Sequence, residues 1–195
     1  MKRYFIVHKP YLVLSQFTSA SGKQTLADYF KLPKNIYPVG RLDEDSEGLL
    51  ILTNDEKLNN RLLNPFFEHE REYLVQVDGA VTQDAIIQLQ QGLSINVNGK
   101  LYNTKPCKAS LFIETDLLQP RNPPIRFRKE IPAPWLKIIL TEGKNRQVRR
   151  MTAKAGFPAL RLIRTRIEGI VLGDLKPGEM KELSEKLIYK KLFNE

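Results

Sequence analysis

Short segments that are either continuously apolar or alternate with the two-residue period of a β-strand recur along the whole chain and limit the folds open to it. They fall at residues 4–7, 11–17, 48–53, 73–77, 110–114, 135–140 and 160–167. Helical patterns lie between them, at residues 25–30, 55–63, 82–91, 145–155 and 184–193. Because the connections are irregular in length and several strand patterns alternate polar and apolar residues, we expect an α+β fold with a largely antiparallel mixed sheet.

The size and composition of the chain fit a compact globular protein. Its 195 residues allow one ordinary domain or two small lobes that share a cleft, and we favour a single unit. The longest apolar runs are far shorter than the roughly 20 residues of a membrane span, and the N-terminus lacks the pattern of a signal peptide. A single cysteine, Cys107, and two histidines, His8 and His69, provide neither a disulfide nor a zinc site. These features predict a cytoplasmic protein without a metal.

The positive charge is concentrated in one part of the sequence. The whole chain carries a net charge of +9, whereas residues 121–166 contain thirteen Lys or Arg and two acids, a net charge of +11. Such a concentration favours binding to a phosphate polymer, since clustered cations release counterions from it. A solvated basic surface explains the charge about equally well.

Two basic segments lie within this region. The helical pattern at residues 145–155 can begin with Asn145 as N-cap and end at Gly156, with a buried stripe of Val148, Met151 and Ala155. Residues 120–134 hold five prolines and four cations and predict a stiff, exposed basic loop, or else a linker with solvated charges.

Four carboxylates, Asp43, Glu44, Asp45 and Glu47, lie within five residues just before an apolar strand. An acidic surface turn is the commonest explanation of such a cluster. A calcium loop is a second, but its last position holds Asn54 instead of the bidentate glutamate and a strand follows directly. A third is a catalytic carboxylate held before a rigid strand.

The acidic segment and four other blocks resemble the pseudouridine synthases of the small-subunit synthase A type. The blocks are Gly40-Arg41-Leu42-Asp43-Glu44-Asp45-Ser46-Glu47-Gly48-Leu49-Leu50-Ile51-Leu52-Thr53-Asn54-Asp55, His8-Lys9-Pro10 with Val13-Leu14-Ser15, Arg71-Glu72-Tyr73-Leu74-Val75, Glu142-Gly143-Lys144-Asn145-Arg146-Gln147-Val148-Arg149-Arg150-Met151, and Pro120-Arg121-Asn122-Pro123-Pro124-Ile125-Arg126 with Trp135-Leu136-Lys137. The last block is similar to the large-subunit synthase E branch of this family. That resemblance implies a single catalytic domain over residues 1–195, with two lobes, a cleft between them and no S4 domain.

The resemblance also implies the residues of the site. Asp43 would be the nucleophile at the sugar of the target uridine, or the base at its neighbouring carbon. Arg149 would keep that carboxylate ionised, although a phosphate contact is the alternative for this side chain. Tyr73 would stack on the unstacked base, with proton transfer as a weaker second role. The reaction needs no cofactor and no metal.

The basic region would then bind the RNA, and Arg41 would either bind RNA or shape the acidic turn. The candidates for RNA binding are Arg41, Arg121, Arg126, Arg128, Lys129, Lys144, Arg146, Arg150 and Lys154. The expected protein is a monomer that converts one uridine of ribosomal RNA, of the large subunit by resemblance to the E branch, to pseudouridine. The alternatives are a noncatalytic RNA-binding or ribosome-assembly protein, a synthase acting on another structured RNA, and a hydrolase, which would need a second tuned carboxylate.

Overall fold

The computed structural model describes residues 1–126 and 128–195. Its strands are β1 (Tyr4–Lys9), β2 (Tyr37–Pro38), β3 (Glu47–Thr53), β4 (Arg71–Val77), β5 (Ser94–Val97), β6 (Lys100–Asn103), β7 (Lys108–Phe112), β8 (Trp135–Leu140), β9 (Ala159–Ile167), β10 (Ile170–Val171) and β11 (Met180–Leu183). Its α-helices are α1 (Glu56–Leu63), α2 (Gln83–Gln91), α3 (Gln147–Lys154) and α4 (Glu185–Phe193). The chain forms two compact units, unit 1 from Met1–His69 with Ile163–Glu195 and unit 2 from Glu70–Leu162.

In unit 1, β1 pairs with strands on both sides. It runs antiparallel to β11 and to β3, so that Tyr4 lies opposite both Leu183 and Thr53. The part of β9 that belongs to unit 1 runs parallel to β3, with Gly48 opposite Arg164. All seven residues of β3 are buried, which explains why its sequence is almost continuously apolar.

The segment between β1 and β2 supplies much of the core of unit 1. A cluster of buried side chains joins Leu50 and Leu52 of β3 to this segment. Its other members are Phe5, Val7, Val13, Leu26, Phe30 and Ile36. The residues between the two strands are therefore packed tightly although they contain little regular structure.

Two predictions for this segment are wrong. Residues 11–17 form no strand, because Leu12 has a positive φ of 59° and the backbone makes only an isolated bridge between Leu14 and Thr25. The apolar residues of the pattern nevertheless enter the core, as Val13 shows. The helix predicted at residues 25–30 is a single 3-10 turn, Leu26–Asp28, closed by a capping box between Thr25 and Asp28.

In unit 2, β8 lies between β4 and β7 and is antiparallel to both. Helices α2 and α3 contribute Ile86, Leu89, Val148 and Met151 to the core against these strands. The hairpin of β5 and β6 turns at Asn98-Gly99, where both residues have positive φ, as a two-residue hairpin turn requires. The sequence patterns did not predict this hairpin.

The expected α+β class with mainly antiparallel strands is confirmed. The predicted strands at residues 4–7, 48–53, 73–77, 135–140 and 160–167 are present, and so are the helices at residues 55–63, 82–91, 145–155 and 184–193, with ends that differ by a few residues. No helix of the described residues is long and apolar enough to cross a membrane. Within the same residues, no group of three or more histidine, cysteine, aspartate or glutamate side chains is arranged to hold a metal ion.

A buried carboxylate joins the N-terminus, α1 and α4 of unit 1. Asp55 is 2% exposed and accepts hydrogen bonds of 2.8 Å from the hydroxyls of both Tyr4 and Tyr189. It also pairs with Lys2 at 3.1 Å and caps α1 by accepting from the backbone N–H of Lys57. Burial alone would raise the pKa of Asp55, but the hydrogen bonds from Tyr189, Tyr4 and Lys2 outweigh it and the pKa is lowered.

Replacing this carboxylate should destabilise the protein. In Asp55→Ala the two tyrosine hydroxyls lose their acceptor, and we expect the free energy of unfolding to fall by about 3 kcal/mol at pH 7. Because the folded pKa is depressed, the contribution of Asp55 is present above the unfolded pKa of about 3.9 and is lost as the pH falls through the folded value. Urea unfolding at several pH values measures both effects. The exposed Asp174→Asn serves as control, and an equal loss in both variants would contradict the assignment.

Candidate active site

The acidic turn, residues 40–48, belongs to unit 1 and leads directly into β3. The backbone N–H of Ser46 donates to the carbonyl of Asp43 at 3.0 Å, so these residues close a tight turn. Gly48 ends the segment with φ of 104°, and a Cβ there would lie 2.3 Å from the carbonyl oxygen of Arg164. Glycine is therefore required where the turn enters the strand, and Asp43 lies half-buried at its start.

A serine hydroxyl fixes the backbone next to Asp43. The Oγ of Ser15 donates to the carbonyl of Leu42 at 2.7 Å and accepts from the N–H of the same residue at 3.0 Å. Leu42 itself is buried, so both of its backbone polar groups depend on this hydroxyl. Ser15 was part of a matching block, but no sequence pattern indicated this supporting role.

Lys9 lies beneath the turn with no solvent exposure. Its Nζ donates to the carbonyls of Val13 at 2.6 Å, Pro10 at 2.9 Å and Glu44 at 3.3 Å, which matches the three donors of an ammonium group. Burial lowers the pKa of Lys9 to about 8, and the nearby acids of the turn, Glu47 first, oppose that shift. Lys9 is thus a cation at neutral pH, and its hydrogen bond to the carbonyl of Glu44 links the acidic turn to the N-terminal segment.

The four acids of the turn have different environments. Glu47 is 1% exposed within β3, and Glu44 forms a 2.7 Å ion pair with Lys23. Asp43 and Asp45 are half-buried, as Glu44 is. Burial therefore excludes only Glu47 from the four candidates for a catalytic carboxylate.

Tyr73 and Arg149, the other two predicted catalytic residues, belong to unit 2. Tyr73 is half-buried in β4, lies opposite Ile138 of β8 and packs against the apolar core of the unit. Arg149 lies in the first turn of α3, where its Nη1 makes a long 3.4 Å hydrogen bond to the carbonyl of Ala159.

The start of α3 differs from the prediction. Arg146, with φ of 52°, occupies the N-cap position instead of Asn145, and no side chain caps the helix there. The side chain of Gln147 accepts from the N–H of Lys144 at 2.9 Å. Asn145 is engaged with Arg150, which donates to both its backbone carbonyl and its side-chain oxygen.

A buried glutamate organises the loop before α3. Glu142 is 8% exposed and accepts from the N–H of Lys105 at 2.9 Å, from the amide of Gln147 at 2.5 Å and from the hydroxyl of Tyr102. The hydrogen bond to Glu142, together with burial, raises the pKa of Tyr102 to about 12. This network fixes the loop from which α3 and Arg149 start. Sequence patterns gave no sign of it.

The predicted RNA-binding cations differ in their surroundings. Arg41, Arg126, Arg128, Lys129, Lys144, Arg146 and Lys154 are exposed, whereas Arg121 and Arg150 are half-buried. Arg128 forms a 2.7 Å ion pair with Asp78, Lys144 lies over the Tyr102 ring, Arg121 donates to the carbonyls of Pro123 and Leu160, and Arg150 donates to Asn96 as well as Asn145. Exposure alone thus does not make all nine equally available to a ligand.

Comparison with known proteins identifies the class to which this fold and site belong. The family model of RNA pseudouridylate synthases matches residues 3–154, which include the acidic turn, β4 and α3. The chain therefore belongs to this family of isomerases.

Particular relatives agree with the predicted branch of the family. The chain is 47% identical over 182 residues to ribosomal large subunit pseudouridine synthase E of Vibrio parahaemolyticus, covering 93% of this chain and 74% of the relative. It is 45% identical to the protein of the same name from Xanthomonas axonopodis pv. citri, covering 88% and 89%. A crystal structure of a pseudouridylate synthase is similar with a TM-score of 0.77 and 28% identity, covering 98% of this chain and 74% of that one. The resemblance seen in the sequence blocks is confirmed.

The buried Lys9 should give the stability of the protein a distinctive pH dependence. Its folded pKa of about 8 lies below the usual value of 10.5, so the cost of burying the ammonium is present below the folded pKa and is relieved as the pH rises towards 10.5. Relative to Lys9→Met, the free energy of unfolding of the wild type should therefore rise by about 2.5 kcal/mol between pH 7 and pH 10.

Chemical denaturation of both proteins across this pH range tests the prediction. The exposed Lys57→Met provides the matched control and should give a difference from wild type that does not change with pH. Parallel profiles for the wild type and Lys9→Met would show that Lys9 is not a destabilised buried cation.

Proposed function

We propose that this protein isomerises a uridine of large-subunit ribosomal RNA to pseudouridine, with Asp43 as the catalytic carboxylate. The family match across the acidic turn carries the proposal. The relatives named as large-subunit synthases support the choice of substrate. The support of the turn by Lys9 and Ser15 is consistent with a carboxylate that must be held in one position.

The reaction breaks the glycosidic bond between the sugar C1′ and N1 of uracil and forms a bond between C1′ and C5. The proton lost from C5 is balanced by a proton gained at N1, so the reaction is an isomerisation without net oxidation. An ionised Asp43 can attack C1′ as nucleophile or remove a proton from the neighbouring sugar carbon. Both roles require the carboxylate and are lost in Asp43→Asn.

In this proposal Arg149 pairs with Asp43 and Tyr73 stacks on the uracil. A guanidinium keeps its charge in any site and can bind a carboxylate through two N–H groups. Its position in the first turn of α3, after the loop fixed by Glu142, gives the side chain a rigid base. An aromatic ring on a strand provides a flat surface for a base that has left its stack.

We further propose that the protein acts as a monomer, and that it is cytoplasmic, as its single cysteine and its N-terminal sequence predict. Light scattering of the purified protein tests the first statement, and cell fractionation tests the second.

The decisive measurement is a map of pseudouridine in ribosomal RNA. In cells that lack this protein, we expect one large-subunit uridine to remain unmodified and wild type to restore it. Asp43→Asn should restore less than about a thousandth of the wild-type rate, because the nucleophile or base is absent. Asp45→Asn, the neighbouring half-buried carboxylate, is the control and should restore modification.

Three results would count against the proposal. Restoration by Asp43→Asn would remove the nucleophile assignment. A loss of pseudouridine only from transfer RNA would contradict the assignment of ribosomal RNA as the substrate. Binding of ribosomal RNA with no change in any map would favour the noncatalytic alternative.

RNA binding should distinguish exposed cations from those that stabilise a loop. Arg146→Ala and Lys154→Ala should each weaken binding and lower the slope of log affinity against log salt concentration by about 0.7 to 0.9, since each removes one phosphate contact. Arg150→Ala should instead lower the melting temperature, because its guanidinium holds Asn145 and Asn96. Fluorescence anisotropy at several salt concentrations, with a melting curve for each variant, measures both effects. Identical behaviour of the three variants would contradict this division.

A further inference from the structure

Unit 2 contains a cavity that no catalytic role explains. It has a volume of about 460 Å³ and opens beside the end of β4. It is lined by Gln76 and Asp78, by Leu160 of β9, and by residues 125, 126 and 128–133 of the basic loop. This volume falls within the range of roughly 300–1,000 Å³ that is usual for small-molecule sites.

The loop that lines the cavity is held to β4 by hydrogen bonds. The N–H of Val77 donates to the carbonyl of Pro134 at 3.0 Å, and the N–H of Gly79 donates to that of Pro132 at 2.8 Å. The ion pair of Arg128 with Asp78 is a third contact between this loop and the end of β4. Such a cavity is preorganised, so a ligand loses little free energy in ordering it.

The interior combines apolar walls with one oriented amide. Ile125, Ile131 and Leu160 supply apolar surface. The Nε2 of Gln76 donates to the carbonyl of Ala133 at 3.2 Å, which turns the amide so that its oxygen and second N–H remain as an acceptor and a donor. A nucleobase matches this arrangement, because it has apolar faces and an edge with neighbouring donors and acceptors.

The rim of the cavity suits a phosphate. Arg126 and Lys129 are exposed, and neither side chain makes an ion pair with the residues that the structure describes. The charge of Arg128 is offset by Asp78, and Glu130 is the other acid at the rim. The lining residues therefore carry one net positive charge, because Arg126 and Lys129 add two positive charges and Glu130 removes one.

We propose that this cavity binds one unstacked nucleotide of the substrate RNA, with its base against the apolar walls and Gln76 and its phosphate at Arg126 and Lys129. The inference rests on the proposed function, since it takes RNA to be the substrate. Gln76 lies three residues beyond Tyr73 on β4, about 10 Å along the strand, and alternation places the two side chains on opposite faces. The occupant is therefore a nucleotide other than the target uridine, and the cavity contributes to the choice of substrate.

An abasic scan tests the proposal. A ribosomal RNA fragment that contains the uridine found by mapping is synthesised with each other nucleotide in turn replaced by an abasic residue. The kcat/KM for pseudouridine formation is measured for the wild type, for Gln76→Leu and for a control, Lys186→Ala/Lys190→Ala, which removes exposed cations from α4.

One abasic position should lower kcat/KM about tenfold with the wild type and the control, an effect of the size expected for a lost base contact. With Gln76→Leu the same substitution should cost less than threefold, because the contact is already weakened. If every abasic effect is the same in wild type and Gln76→Leu, the cavity does not bind a base and the inference is overturned. If wild type forms no pseudouridine in any ribosomal RNA, the proposed function itself has failed and this inference falls with it.

A second variant avoids the strand in case Gln76→Leu folds poorly. Arg126→Ala/Lys129→Ala changes only exposed loop side chains and should reduce the salt slope of binding by about 0.7, the value for one phosphate of a single strand. With the abasic RNA identified by the scan, the double variant should show the same reduction of the salt slope, because the phosphate of the abasic residue is intact. An unchanged salt slope would show that the two cations do not bind phosphate at this site.

Discussion

The three hydrogen bonds of Lys9 set the geometry of the acidic turn. A buried ammonium costs much more when any of its donors lacks an acceptor, and here the acceptors are the carbonyls of Pro10, Val13 and Glu44. These residues come from two segments of the chain, so a shift of either one would leave the charge without a partner. The position of the turn that contains Asp43 is therefore linked to the folding of the whole N-terminal segment.

Unit 2 also has a buried ionisable side chain whose hydrogen bonds fix a segment of the chain, but here it is a carboxylate. Glu142 is a buried anion, and its partners are the N–H of Lys105, the amide of Gln147 and the hydroxyl of Tyr102. In both units a buried ion with neutral partners holds a segment in place, while the proposed catalytic side chain is a different, half-buried residue beside it. Such support allows a reactive group to be fixed without being neutralised by its own structural contacts.

Length and periodicity explain which elements could be predicted. The continuous apolar pattern of β3 and the capped patterns of α1 and α2 depend on local sequence, and all three were predicted. The short strands β2, β5, β6, β10 and β11 have two to four residues each, too few to establish a period. The residues after Pro10 show an apolar pattern, yet the positive φ of Leu12 breaks any strand there and Val13 enters the core from an irregular segment.

The residues of the candidate active site likewise divide into those that the sequence predicted and those that it did not. Asp43, Tyr73 and Arg149 could be proposed because they lie in blocks that match a family, whereas spacing and composition left Asp43 as one acid among four. Lys9 lies in such a block too, but its role depends on carbonyls that tertiary folding brings together, and no local pattern encodes that.

Charge counts along the sequence overstate the surface that RNA can contact. Arg161 and Arg164 belong to the basic region, but each is only 5% exposed. The parallel register of β3 and β9 ends at Gly48 opposite Arg164, and the carbonyl of Leu49 accepts from the guanidinium of Arg164 at 2.8 Å. This cation thus replaces a strand hydrogen bond and is part of the fold. Exposed cations without acidic partners among the described residues, such as Arg126 and Lys129, are therefore better guides to the RNA path than the total charge.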